Sequence, residues 1–137
     1  MAAREIGALD PGLPWSRGHS FAPALRVGGL IYVSGQLALD AEGNLVGEGS
    51  VEAQARCIFG NIDTILRVGG ASLSDVVRLT CYCIGFDDYG DYAKVRGELF
   101  AARYPASTTV GISELLVPGA LLEVDAIAMA PDSQPTG

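Results

Sequence analysis

Residues 50–84 read SVEAQARCIFGNIDTILRVGGASLSDVVRLTCYCI, and this stretch decides the fold. Ala55, Ile58, Phe59, Ile62, Ile65 and Leu66 recur at spacings of three and four, which lines one face of a helix from Val51 to about Val68. Ser50 can cap its start, with Glu52 in the first turn, and Gly69 and Gly70 supply a left-handed residue to end it. The pattern then changes: VVRLTCYCI, residues 76–84, is rich in β-branched and aromatic side chains and predicts a central strand.

Upstream, LRVGGLIYVSG at 25–35 places a Gly-Gly turn between two short apolar runs and predicts a hairpin, with Ile31 to Val33 buried and Gly28, Gly29 and Gly35 as turn residues. The following DAEGNLVGEGS is polar and glycine-rich, and predicts a surface loop. Downstream, Asp87 and Asp88 favour a second helix start, Tyr92, Val95 and Leu99 form its apolar stripe, and Pro105 bounds it, giving a helix from Tyr89 to about Arg103. STTVGI and LLEVDAIAMA predict two more strands, split by the turn-forming Val117-Pro118-Gly119, and the tail PDSQPTG is expected to fray. The order strand, strand, helix, strand, helix, strand, strand implies an α+β domain, a mixed sheet with two helices on one face. In the last strand Leu122, Val124, Ala126 and Ala128 alternate with Leu121, Glu123, Asp125, Ile127 and Met129, so both faces carry apolar residues. Self-association would bury the second set.

The 137 residues, 49% hydrophobic and 18% charged, fit a single domain over 1–137 with one core. Nine basic against sixteen acidic residues give a net charge of −7, and the cations are scattered, so the chain repels phosphate backbones and anionic membranes; no nucleic-acid partner is expected. No apolar run approaches the ~18–20 residues of a membrane helix, and MAAREIGALDPG lacks a signal peptide's apolar centre. Three cysteines cannot all pair within one chain, so Cys57, Cys81 and Cys83 read as reduced thiols, Cys81 and Cys83 as core residues, and a cytoplasmic protein is the expectation.

Glu123 and Asp125 lie two apart on a strand, hence on one face with Cα atoms roughly 6.5–7 Å apart. Two such carboxylates either divide acid and base roles or form an exposed polar stripe. Ser107, Thr108 and Thr109 offer hydroxyls at a strand start, whereas a nucleophilic serine would need a base, and the single histidine, His19, has no identifiable acidic orienter. Neither a zinc-ligand spacing nor a GxGxxG or GxxxxGK[ST] loop occurs, so the expected site holds no metal and no cofactor.

The segments VGGLIYVSGQ, LRVGGASLSDVVRLTCYCIGFDDY and YPASTTVGISELLVPGALLEVDAIA, taken together, resemble the YjgF/RidA (reactive intermediate deaminase) family along about residues 20–130. The resemblance implies a chorismate-mutase-like fold assembled as a homotrimer, with clefts between neighbouring subunits that take a small molecule. It also implies a glutamate in the last strand, here Glu123, that places or activates the water hydrolysing an imine or enamine. The family's carboxylate-holding arginine has Ser107 as its counterpart, a family tyrosine aligns with Phe21, and a helix position often held by asparagine falls at about Arg96. Glu123 is thus the expected proton-transfer residue, with Ser107, Thr108, Phe21 and Arg96 binding the substrate. The implied activity is hydrolysis or tautomerisation of a reactive imine, enamine or related intermediate, other than standard 2-imino-acid deamination. A metabolite-binding trimer without catalysis is the alternative, and a ribonuclease conflicts with the acidic chain and its single histidine.

Overall fold

The computed structural model describes residues 5–132, so most of the tail expected to fray lies outside the described residues. Six strands form one sheet: β1 (Ile6–Leu9), β2 (Ala24–Val27), β3 (Leu30–Gln36), β4 (Val76–Ile84), β5 (Ala106–Ile112) and β6 (Leu122–Met129), in the spatial order β1-β2-β3-β6-β4-β5. All neighbours pair antiparallel except β4 and β5, which are parallel, so the sheet is mixed. Helices α1 (Val51–Val68) and α2 (Tyr89–Leu99) complete the α+β architecture.

Helix α1 begins where the sequence predicts, with Ser50 Oγ accepting from the Ala53 amide at 3.1 Å. It ends in a left-handed Gly70 (φ +79°), with the Gly70 and Ala71 amides donating back to the Arg67 and Leu66 carbonyls. Its apolar stripe packs on the alternate residues Leu122, Val124, Ala126 and Ala128 of β6 and Leu79, Cys81 and Cys83 of β4 in one buried core. Cys81 and Cys83 sit there with their sulfurs 3.4 Å apart, and burial, then the neighbouring Cys83 thiol, pushes the Cys81 thiol far up, which makes it unreactive.

Three expectations are corrected. The second helix ends at Leu99 rather than near Arg103, because the chain turns at Phe100 to bury that ring edge-on against Phe59, with centroids 5.3 Å apart. Leu99 is accordingly 41% exposed, and Phe100 takes its place in the core. Strand β1 went unread because four residues paired on one edge carry too little alternation to register. Gly35 is not a turn residue but lies inside β3, and Tyr32, between buried Ile31 and Val33, points to the open face.

Gln54 contributes what the apolar stripe could not predict. It is fully buried in α1, donates from Nε2 to the carbonyls of Gly47 (3.2 Å) and Gly119 (3.1 Å), and accepts at Oε1 from the Leu121 amide (2.8 Å). One amide thereby fixes both the loop before α1 and the turn that leads into β6.

The face away from the helices carries Leu25, Tyr32 and Ile127 in one register row and Val27, Leu30 and Met129 in the next. Leu25, Val27, Tyr32 and Met129 are exposed there, an apolar strip uncovered in the single chain.

Candidate functional site

Strand register builds the first part of the site. On the open face Glu123 stands directly across from Tyr82, and Asp125 across from Thr80. Glu123 and Tyr82 line a groove of about 620 Å³ with Ile112, Glu114, Leu115 and Leu116. The Tyr82 hydroxyl donates to Asp125 Oδ2 at 3.4 Å, and the Asp125 charge, with burial second, raises the Tyr82 pKa. Burial, reinforced by the Asp125 charge, raises the Glu123 carboxyl above the usual carboxylate range. A carboxyl so shifted is suited to hold and release a proton.

Glu123 owes its seat to Gly35. The β3–β6 register shifts between Val33 and Gln36, and a Cβ at Gly35 would fall 2.8 Å from Glu123 Oε1. Only a residue without a side chain lets the carboxylate rest there. Gly35→Ala is therefore expected to displace the carboxylate and lower kcat by about 10²-fold, the typical cost of a 1 Å misplacement, while the thermal midpoint moves little. Steady-state kinetics beside a thermal melt checks this, and unchanged kcat would separate Gly35 from the site.

The other anticipated residues do not gather around Glu123 within one chain. Ser107 and Thr108 are neighbours on β5, so they project to opposite faces of the sheet. Thr108 shares the open face with Glu123, and its hydroxyl accepts from Arg78 Nη2 at 2.6 Å. Ser107 turns toward α2, where its hydroxyl accepts from Arg96 Nη1 at 3.2 Å. Arg96 and Ser107 line a second groove of about 330 Å³ with Ala93, Gly97, Tyr104 and Pro105. Strand alternation thus places the Ser107 and Thr108 hydroxyls on opposite faces of one chain's sheet, with Ser107 at the second groove.

Phe21 lies at a third place, a groove of about 350 Å³ with Ala22, Leu25, Tyr32, Val33 and Ser34. His19 stacks on it, with ring centroids 4.7 Å apart, and is not bonded to Ser107. Arg103 donates to the Ser74 (2.7 Å) and Val76 (3.5 Å) carbonyls, away from these grooves.

Sequence reading missed Tyr82, Gly35 and Tyr89. Tyr82 was visible only as one letter of a strand, and its role follows from pairing with β6, a partner more than forty residues away. Gly35 carried a signal in the VSGQ motif, whose meaning needed the β3 register shift that brings it against the Glu123 side chain.

The chain matches the endoribonuclease L-PSP family model over residues 16–130. It is 35% identical over 108 residues to a RutC family protein of Pyrococcus abyssi, covering 79% of this chain and 84% of that protein. It is 30% identical over 109 residues to a 2-iminobutanoate/2-iminopropanoate deaminase of Dermatophagoides farinae, covering 80% and 84%. Among solved structures, YyfA of Yersinia pestis, described as a protein of unknown function of the conserved Rid family, superposes with a TM-score of 0.84 at 26% identity, covering 92% of this chain and all of that one. A match of this extent, over the strands that hold Glu123, Gly35 and Ser107, shows that the chain belongs to the endoribonuclease L-PSP family, the YjgF/Rid proteins.

Proposed function

We propose that the protein hydrolyses or tautomerises a small reactive imine or enamine in a cleft between two copies of the chain, Glu123 coming from one copy and Arg96 with Ser107 from its neighbour. The observation that carries this reading is the Glu123 carboxyl, partly buried beside Gly35 in an open groove, with its proton affinity raised. Supporting the shared cleft, Glu123 and Ser107 point to opposite sides of one sheet, so a small ligand cannot bridge them within a single chain. The uncovered apolar strip on the open face gives a second copy something to bury, and a homotrimer closes such head-to-tail contacts.

In the hydrolytic form, water adds to the carbon of a protonated C=N bond while its proton passes to Glu123. Glu123 then returns that proton to the nitrogen, and as the C–N bond breaks it takes the proton of the new hydroxyl group, so that a carbonyl compound and ammonia leave and the remaining proton passes from Glu123 to the ammonia as ammonium. For an enamine, the same carboxyl first delivers its proton to carbon, giving the protonated imine and leaving the carboxylate that then accepts the proton of water. Ser107 in place of the family's arginine steers the substrate away from standard 2-imino acids, since a neutral hydroxyl lacks a guanidinium's charge and fork. The deaminase name of the Dermatophagoides relative supports the reaction type.

The test is a panel of imines released in situ by an amine or amino-acid oxidase, with semicarbazide trapping whatever survives. Wild type is expected to lower the trapped fraction for at least one imine, and to handle 2-iminobutanoate at least tenfold more slowly than an arginine-bearing relative. Trapping unchanged across the panel, with ligand still bound, would favour the alternative of a metabolite-binding trimer.

A further inference from the structure

Arg96 is held unlike most of the cations among the described residues. Arg56 and Lys94 meet Glu52, Arg56 also meets Glu98, and Arg67 meets Asp63. Arg26 and Arg103 donate to backbone carbonyls. Arg96 instead donates from Nη1 to Ser107 Oγ and from Nη2 to Tyr89 Oη, at 3.2 and 3.0 Å. Its guanidinium carbon lies 5.7 Å from the centre of the Tyr89 ring and 5.2 Å from that of Tyr92. Every one of these partners is neutral.

A partly buried cation without a counter-charge is costly, and the two rings offset only part of that cost. A guanidinium has five N–H donors, of which these contacts use two, and among the described residues no carboxylate lies within ion-pair distance. The remaining donors stand at the groove of about 330 Å³ that Arg96 and Ser107 line with Tyr104. Tyr92, fully buried with its hydroxyl unpartnered among the described residues, serves here as a ring surface. Arg78 also lacks a carboxylate, but it faces the other side of the sheet and has no ring beneath it.

We infer that the Arg96 guanidinium is the seat of an oxyanion on the substrate, and that Tyr89 and Tyr92 are positioning residues that hold it over the groove. The inference rests on the proposed function for the rest of the substrate, which is then a small organic carboxylate carrying the imine or enamine. The anion is recognised from helix α2, past the short Ser107 side chain, instead of from a strand arginine, so a 2-imino acid binds but is set differently against Glu123, and its slower hydrolysis in the imine panel is still expected.

Binding without turnover separates this claim from the catalytic one. The probe is 2-oxobutanoate, the carboxylate that hydrolysis of 2-iminobutanoate leaves, titrated calorimetrically beside its uncharged amide and inorganic phosphate. Wild type and Glu123→Gln are expected to bind the carboxylate and to discriminate against the amide. Arg96→Gln is expected to weaken carboxylate binding at least tenfold, as loss of charge-assisted hydrogen bonds does, and Tyr89→Phe to weaken it severalfold with the fold intact. Arg78→Gln is expected to leave it unchanged. Phosphate competing with 2-oxobutanoate would mark a general oxyanion seat, and phosphate failing to compete would mark one shaped for a carboxylate. Equal affinity for acid and amide, no binding of either anion, or a loss on Arg78→Gln without one on Arg96→Gln would overturn the inference; absence of turnover with carboxylate binding intact would instead overturn the proposed catalysis.

Discussion

Glu123→Gln lowers kcat by about 10²–10⁴-fold, the usual contribution of a single proton-transfer residue, while the protein keeps its fold. Glutamine is close to glutamate in shape and fits the same space beside Gly35, so the change removes the proton-accepting function and little else. The stability arm has a definite sign. Burial first, and the Asp125 charge second, raise the folded-state pKa of Glu123, so the folded chain holds that proton more tightly than the unfolded one. The corresponding stabilisation is full below the unfolded carboxyl pKa and is lost as the pH rises through the raised folded value. At neutral pH the ionised carboxylate is therefore a burden, and Glu123→Gln melts at the same temperature as wild type or higher, with that advantage vanishing in acid. Asp125→Asn removes the second cause of the shift and is expected to move the acidic limb of the rate profile to lower pH with a smaller loss of kcat. A variant Glu123→Gln that turns over normally would take Glu123 out of the mechanism.

The largest expected effect on stability comes from Gln54. Gln54→Ala leaves the Leu121 amide and the Gly47 and Gly119 carbonyls without their side-chain partner. The Gly47 carbonyl keeps the Ser50 amide and Gly119 is exposed, so the cost falls on the Leu121 amide, about 1–3 kcal/mol, and on the cavity left by a fully buried side chain, together about 2–4 kcal/mol. For a chain of this size that lowers the thermal midpoint by roughly 8–15 °C, measurable by calorimetry. The Gly119 turn feeds β6, so hydrogen exchange should rise first around Leu121 to Glu123. A shift of only a degree or two would mean that the loop and the turn are held by other contacts.

Much of the fold was legible because its signals are local. The α1 stripe, the Ser50 cap and the Gly70 terminus are encoded within a few residues of where they act, and the structure reproduces them. The β4 and β6 strands were equally readable from β-branched composition and alternation. The end of α2 was not, since Phe100 leaves the helical path to reach Phe59, a contact that no local spacing announces. The site was legible in parts. Glu123 and Asp125 follow from strand period, and the projection of Ser107 and Thr108 to opposite faces follows from the same alternation once β5 is placed. Tyr82 opposite Glu123 and Tyr89 beside Arg96 emerge only from pairing and packing over distance.

The sharing of one site between two copies of the chain is tested by mixed oligomers. Glu123→Gln and Arg96→Gln subunits, each impaired on its own, are unfolded, mixed in equal amounts, refolded together and assayed at substrate well below saturation. If Glu123 and Arg96 meet across a head-to-tail interface, random assembly gives an Arg96-bearing half beside a Glu123-bearing half with probability one half times one half, restoring about a quarter of wild-type turnover. Turnover no greater than the sum of the two variants, in oligomers shown by mass spectrometry to contain both, would contradict the shared site.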